Sequence, residues 1–372
     1  MFPTELYAIN RKIHEIDPIE YSRTRNFLNG SVTQLSPYIS RGFINTKQVL
    51  NSLCQRGYQL ESLIPFIKEL AWREYFQRTW CFLEDKLCDD IKKPQAQCEH
   101  HLISKNLINA CTGITAVDEA IQQLYETGYM HNHMRMYVAS IACNIGRAHW
   151  MLPAKWMYYH LLDADWASNV CSWQWVAGCF SNKKYYANQN NINHYCYTRQ
   201  QHTFLDVEYE QLVRMEIPDI LAENTHIEFN NLSLHSNELR LNIQLPTYVY
   251  NFYNLDHAWD PHIKANRVLL WEPSFLKRFP ISMKVLNFAM NLAANIPNIQ
   301  FFVGEFDSLY KIAGSSVIHY KEHPTNRHYK GTEHQRVWLF PNVEGYHHSF
   351  SAYWKQCEKH LRKFNEKNIC SS

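Results

Sequence analysis

The sequence has no window of about 18 uncharged apolar residues, so it offers no transmembrane helix. Its first residues, MFPTELYAINRK, lack the basic and then apolar layout of a secretory signal peptide, which makes the cytoplasm the expected location. No CxxC pair occurs among the 11 cysteines, which are scattered singly. That spacing argues against a zinc ribbon and against a disulfide scaffold, and leaves buried reduced thiols as the ordinary account. GxGxxG and P-loop motifs are also absent, so the turns announce no nucleotide site of those kinds. A formal net charge of +2 over 372 residues is too small for bulk electrostatic attraction to nucleic acid. Any such binding has to come from a local patch.

What is present in quantity is aromatic: 11 Trp and 23 Tyr, most of which a chain of this size would use as core. From Ala8 to about Tyr197 the pattern is helical, with apolar residues recurring at three and four in LESLIPFIKELAWREYFQRTW, VDEAIQQLYETGY and PAKWMYYHLLDADW. Ser36 before Pro37 reads as an N-cap with Pro at the first helical position, and Thr115 with Asp118 resembles a capping box. Residues 205–262 read as an irregular connecting segment with a strand or two, in LRLNIQL and YVYNFYN. From Asn266 the chain alternates apolar runs (RVLLWE, IQFFVGE, SVIHY, RVWLFP) with helical patterns at Ser282 to Asn295 and near His348 to Phe364. This predicts a mainly α protein: a helical domain over 1–204, then a small, mostly parallel α/β domain over 263–372, ending in a frayed NEKNICSS tail.

Three clusters in the helical half share one geometry, polar or aromatic residues three, four or eight positions apart and hence on one helical face. They are Glu69, Trp72 and Arg73; Asn132, Arg135 and Met136; and Asp165, Asn169 and Trp173, with Asp163 just before. Each alone could be a salt-bridged helix surface. Together they put Arg and Asp into apolar helices, where a charge is costly unless paired. A planar redox ligand would use all of them: Arg and Asn donate to its ring, Asp accepts, and Trp passes electrons. The segment NGSVTQLSPYISRG adds hydroxyls at Ser31, Thr33 and Ser36 beside a helix N-terminus that favours an anion.

In order, YSRTRNF, TQLSPYISRG, KELAWREYF, TGITAVDEAIQQL, GYMHNHMRM and DADWASNVCSWQWVAG resemble the FAD-binding helical domain of the photolyases and cryptochromes, over roughly residues 15–190. The resemblance implies that Tyr21, Thr33, Gln34, Leu35 and Ser36 hold the phosphate and ribityl region of FAD. Phe66 would line the flavin where the family often has Trp. Asn132, Arg135, Asp163 and Asp165 would grip the ring systems, and Asn169 would face flavin N5, as in the photolyases. Trp173 and Trp150 would begin an electron relay. Glu69, Trp72, Asn132 and Met136 match the pocket for a flipped cyclobutane pyrimidine dimer, with Trp72 stacking on the lesion. Arg73, Lys183 and Lys184 would contact DNA.

The implied function is light-driven repair of pyrimidine dimers by electron transfer from reduced FAD. The alternative is a cryptochrome-type photosensor whose C-terminal unit serves a protein partner. In either case the expected protein is a monomer without membrane contact. Departures from the family pattern bear on this. The helical motifs begin almost at Met1, so the family's preceding antenna domain is expected to be absent or replaced by the C-terminal unit. No Trp lies between Trp80 and Trp150, which leaves the distal relay position to Tyr125, Tyr129 or another aromatic. His133 stands where the family has Arg. The cysteines show no iron-sulfur spacing, and the His100–His101 and His347–His348 pairs do not make a metal site.

Overall fold

The computed structural model describes residues 2–230, 232, 234 and 238–369, the last eight as helix backbone alone. The end of the expected frayed tail, residues 370–372, lies outside them; residues 365–369 continue the last helix. The helical half is organised around the long helix Leu60–Leu83, in which every residue from Glu74 to Trp80 is buried. A helix covered on all sides is core rather than surface. Packed against it are the helices Pro18–Thr24, Trp166–Ala177 and Phe350–Ile369, and the Trp166 helix in turn packs on Asn132–Ser140 and Met151–His160.

Two expected caps are corrected. Ser36 is inside the short helix Ser36–Ser40, whose N-cap position is Leu35 without a side-chain bond. Thr115 opens the helix Thr115–Thr127 after Ile114, and Asp118 instead accepts from the backbone N–H groups of Thr112 and Gly113 and from the Thr112 hydroxyl. The carboxylate reaches further back than a capping box because the preceding turn folds over the helix end.

The α/β half is a single five-stranded sheet. After the two-residue antiparallel pair β1 (Ile103–Ser104) and β2 (Asn224–Thr225) come β3 (Thr247–Tyr250), β4 (Asn266–Trp271), β5 (Ile299–Val303), β6 (Ile318–Lys321) and β7 (Thr332–His334). The strand order is β5-β4-β3-β6-β7, with every pairing parallel. The domain boundary expected at 263 is therefore too late: the central strand β3 falls inside the segment read as a connector, and β2 ties residues 224–225 back to the helical half. Every residue of β3 and β4 is buried, as a parallel strand covered on both faces requires, so TYVY does not show the in-and-out alternation of an exposed sheet. LRLNIQL and RVWLFP are not strands; the last strand is the shorter Thr332–His334.

The two halves share one core. Tyr253, just after β3, bonds its hydroxyl to that of Tyr158 at 3.0 Å and accepts from the Trp166 backbone N–H at 3.3 Å. Glu74 of the long helix accepts from the backbone N–H groups of Leu339 and Phe340 and, at 2.8 Å, from the Tyr353 hydroxyl. Among the described residues no helix is long and apolar enough to cross a membrane.

Candidate functional site

Along the long helix, Phe66 meets Tyr21, Glu69 meets Arg25, Trp72 meets Phe350 and Arg73 meets Asp165 at the start of the Trp166 helix. Where the Trp166 helix begins, Asp165 is its N-cap, accepting from the Ser168 backbone N–H at 2.7 Å. The same carboxylate accepts from Arg73 Nη2 at 3.0 Å and Gln77 Nε2 at 2.6 Å. Burial works to raise its pKa, but Arg73, the Ser168 contact and Arg41 outweigh burial and hold Asp165 below the ordinary carboxylate range. Gln77 accepts in turn from Arg336 of the α/β half at 2.8 Å, so a polar chain links the two domains through this aspartate.

Arg135 pairs with Asp163 at 3.0 Å and anchors its Nε on the Met130 carbonyl at 2.9 Å, as the sequence pattern required of a lone Arg in an apolar helix. Asn169 donates to the Ala154 carbonyl at 2.8 Å. Tyr21 lies edge-on to Phe66, ring centres 5.0 Å apart, and burial pushes its phenol pKa up, with Glu69 adding to the effect. Gln34 takes a left-handed turn at φ 52°, and Thr33 Oγ1 accepts from the Leu35 N–H, so residues 33–35 turn tightly into the short helix Ser36–Ser40.

Four expectations are changed by the geometry. Arg73 is turned inward onto Asp165 and Ser40 and is not offered to a DNA backbone. Lys184 bonds Gln97 at 3.1 Å, and its partial burial lowers its pKa; only Lys183 of the pair is exposed. Glu69 is held by Arg25 at 3.0 Å. Trp72 carries the ring of Phe350, from the C-terminal helix, stacked at 3.6 Å and 10°. Asn132 is exposed and Met136 half-buried on the neighbouring helix.

Trp150, the N-cap residue of the helix Met151–His160, and Trp173 of the helix Trp166–Ala177 are both buried, and the two helices pack on each other. Of the aromatics considered for the distal position, Tyr125 accepts from Trp156 Nε1 through its hydroxyl at 3.0 Å, and Tyr129 lies against Phe2. The ring beside Trp150 is that of His149, at 5.4 Å. His133, the residue out of pattern, contacts the Asn26 carbonyl through Nδ1 at 2.9 Å and stacks on Tyr137. Burial lowers its pKa, so a neutral ring ties this helix to the turn after Thr24. Sequence reading missed this role, together with those of Gln77, Glu74 and Phe350, because each depends on a partner remote in the chain.

The remaining unpartnered atoms test whether FAD suits this place. Asp163 Oδ1, Ser168 Oγ and two guanidinium nitrogens of fully buried Arg41 have no protein partner. Arg41 lies over the Phe252 ring at 3.4 Å and donates its Nη2 to the Ala164 carbonyl. Buried polar groups are normally bonded, so a carboxylate oxygen, a hydroxyl and N–H donors around one turn fit a ligand rich in both donors and acceptors. An open cleft lies on the α/β side of this turn, walled by Ser40, Arg73, Gln77, Asp165, Asn254 and His323. Phe66, Asn132, Arg135 and Asn169 are not in its walls. Among the described residues there is no cluster of metal ligands, and the ten described cysteines are free.

The model of the FAD binding domain of DNA photolyase matches residues 66–237. The deoxyribodipyrimidine photo-lyase of Vibrio cholerae is 30% identical over 181 residues, covering 43% of this chain and 36% of that protein. The cryptochrome DASH of Idiomarina loihiensis is 31% identical over 170 residues, covering 42% and 37%. A crystal structure of a Synechocystis cryptochrome aligns at a TM-score of 0.46 and 23% identity, over 51% of this chain and 42% of that one. The chain thus spans little more than a third of the length of the curated relatives it matches. Over residues 66–237 the chain is thus similar to the FAD-binding helical domain of the photolyases and cryptochromes.

Proposed function

We propose that the protein uses light to split cyclobutane pyrimidine dimers in DNA, with FAD held by Arg135, Asp163, Asp165 and Asn169. The observation that carries this reading is the buried Arg135–Asp163 pair, whose Asp163 Oδ1 has no protein partner, within the segment that matches the FAD-binding domain model. When bound and reduced, FAD supplies an electron under blue or near-ultraviolet light. The protein's share is binding, orientation and exclusion of water. Asp163 keeps Arg135 fixed and retains a free oxygen for a ligand N–H. Ala154 fixes the amide of Asn169. Trp72 offers an indole face to a flipped base, and Glu69, released from Arg25, accepts from the base's N–H edge. A damaged pair flips at a lower cost, by a few kcal/mol, so such a pocket selects lesions without reading sequence. Exposed Lys183 contributes a phosphate contact.

A second reading, a photosensor without repair activity, is favoured by Phe350. Its ring lies at stacking distance on Trp72 and leaves no space for a base on that face. The test is repair of a dimer-containing oligonucleotide by the reduced, illuminated protein. Glu69→Ala and Trp72→Ala should each lower repair by about tenfold or more, the scale of a 1–3 kcal/mol stacking contact. Repair equal to the parent in both variants would remove the assigned pocket. Photoreduction without repair in the parent would select the photosensor.

A further inference from the structure

Asp90 is one of the groups that the sequence did not single out. It sits in the loop after the turn Glu84–Cys88, and its Oδ1 accepts the indole Nε1–H of Trp150 at 2.7 Å. Its Oδ2 accepts the Gln95 backbone N–H at 2.8 Å, and Gln95 in turn accepts the Trp150 backbone N–H at 3.0 Å. The loop therefore clamps Trp150 from both its ring and its backbone. Trp150 is fully buried, whereas the Asp90 side chain is 21% exposed and His149 Nε2 lies 3.6 Å from it. His149 stacks on the exposed ring of His101 at 4.7 Å. The Cys179 thiol also faces Asp90, which raises the thiol's pKa beyond what burial does.

We infer that Trp150 is the last tryptophan of the relay and that Asp90 is its proton acceptor. This rests on the proposed relay from Trp173 to Trp150. Trp150 passes one electron to oxidised Trp173, whose own electron has gone to a one-electron oxidant, the light-excited oxidised flavin. The indole N–H bond breaks and an O–H bond forms on Asp90, leaving a neutral indolyl radical beside a neutral carboxylic acid. An oxidised tryptophan at a protein surface can lose its proton to water. Trp150 has no water contact, and the carboxylate takes that role. Return of the electron requires the proton to come back, so the transfer lengthens the life of the separated charge. Asp90 is a positioning and proton-accepting residue for Trp150 and touches neither flavin nor DNA.

Flash absorption on the FAD-loaded protein should show the neutral tryptophan radical in the parent and the protonated radical cation in Asp90→Asn, whose amide oxygen keeps the hydrogen bond but is a far weaker base. The lifetime of the radical in the variant should fall roughly tenfold, 1.36 kcal/mol of barrier. In the parent, D₂O should slow formation of the neutral radical, a measurement that needs no variant. Independently of flavin, oxidation of the apoprotein by azidyl radicals should give the same difference. The indole ¹⁵N–¹H signal lost in Trp150→Phe should hold its position in Asp90→Asn and move in Asp90→Ala. A parent radical that stays protonated, or a neutral radical of equal lifetime in Asp90→Asn, overturns the assignment. Absence of any tryptophan radical after the flash, with the azidyl result intact, would instead count against the relay.

Discussion

Both halves bury charged side chains, but they treat them differently. In the α/β half Arg267 donates to the Tyr250 hydroxyl and to the carbonyls of Trp259, Asp260 and Ile263. Glu272 accepts from Phe306 N–H and Tyr329 Oη and bonds His328. Those charges are consumed by the fold. In the helical half Asp163 keeps one oxygen, and Arg41 two nitrogens, without a protein partner. A buried polar group left unbonded costs about 1–3 kcal/mol, which the fold alone does not recover and a ligand does. The difference lies in the charged groups: Arg267 and Glu272 are held by several partners within the fold, whereas Asp163 and Arg41 keep atoms available to a ligand.

The junction between the halves should give the largest effect. Glu74→Ala removes the acceptor of two backbone N–H groups, the Tyr353 hydroxyl and Arg78, and should cost about 3–5 kcal/mol in urea unfolding. Lys330→Ala, which removes an exposed pair with Asp307, should cost less than about 1 kcal/mol. Equal losses would erase the distinction between a buried junction and a surface pair.

Acid should act next, and on both halves. Burial, with His133 and Arg135 adding, pushes His131 down to about 4, and burial pushes His323, between β6 and β7, well below its usual value. Both rings fold neutral, so between pH about 6.5 and 4 the unfolded chain binds more protons. Stability should fall with pH across that window, by up to roughly 1.4 kcal/mol per pH unit for each histidine. Thermal unfolding at pH 7 and pH 5 measures it. A third, smaller change belongs to the helical half alone: Arg135→Ala should weaken FAD retention by about 2 kcal/mol, roughly thirtyfold, read as flavin per protein after dialysis. Smallest is Phe350→Leu, which unstacks Trp72 at nearly constant volume. It should tighten binding of a dimer-containing oligonucleotide by about 0.5–1.5 kcal/mol, measured by titration at fixed salt. Weaker binding would mean that Phe350 helps to form the pocket.

How much of this was legible differs between the halves for the same reason. Helical spacing puts Glu69 beside Arg73 and Asn132 beside Arg135 and Met136, so the polar set could be read from the chain. The cost of an unpaired buried charge called for a carboxylate beside Arg135, either Asp163 or Asp165, and the structure has Asp163 there. YVYNFYN pointed to a strand where β3 lies, but not to its place at the centre of the parallel sheet, because TYVY is buried on both sides and too short to show a period. Phe350 lies 278 residues from Trp72 and Asp90 60 from Trp150, and no local pattern encodes such contacts. Lys184 and Arg73 looked like surface charges because sequence gives no direction to a long side chain.

The central claim is that the unsatisfied groups of the helical half hold a light-active flavin serving dimer-containing DNA. The direct measurement is the visible spectrum of the purified protein before and after blue illumination with a reductant, followed by addition of a dimer-containing oligonucleotide. A flavin spectrum that bleaches on illumination and a light-dependent loss of dimer are the expected results. A colourless protein that takes up no added FAD, with dimers unchanged, would contradict it.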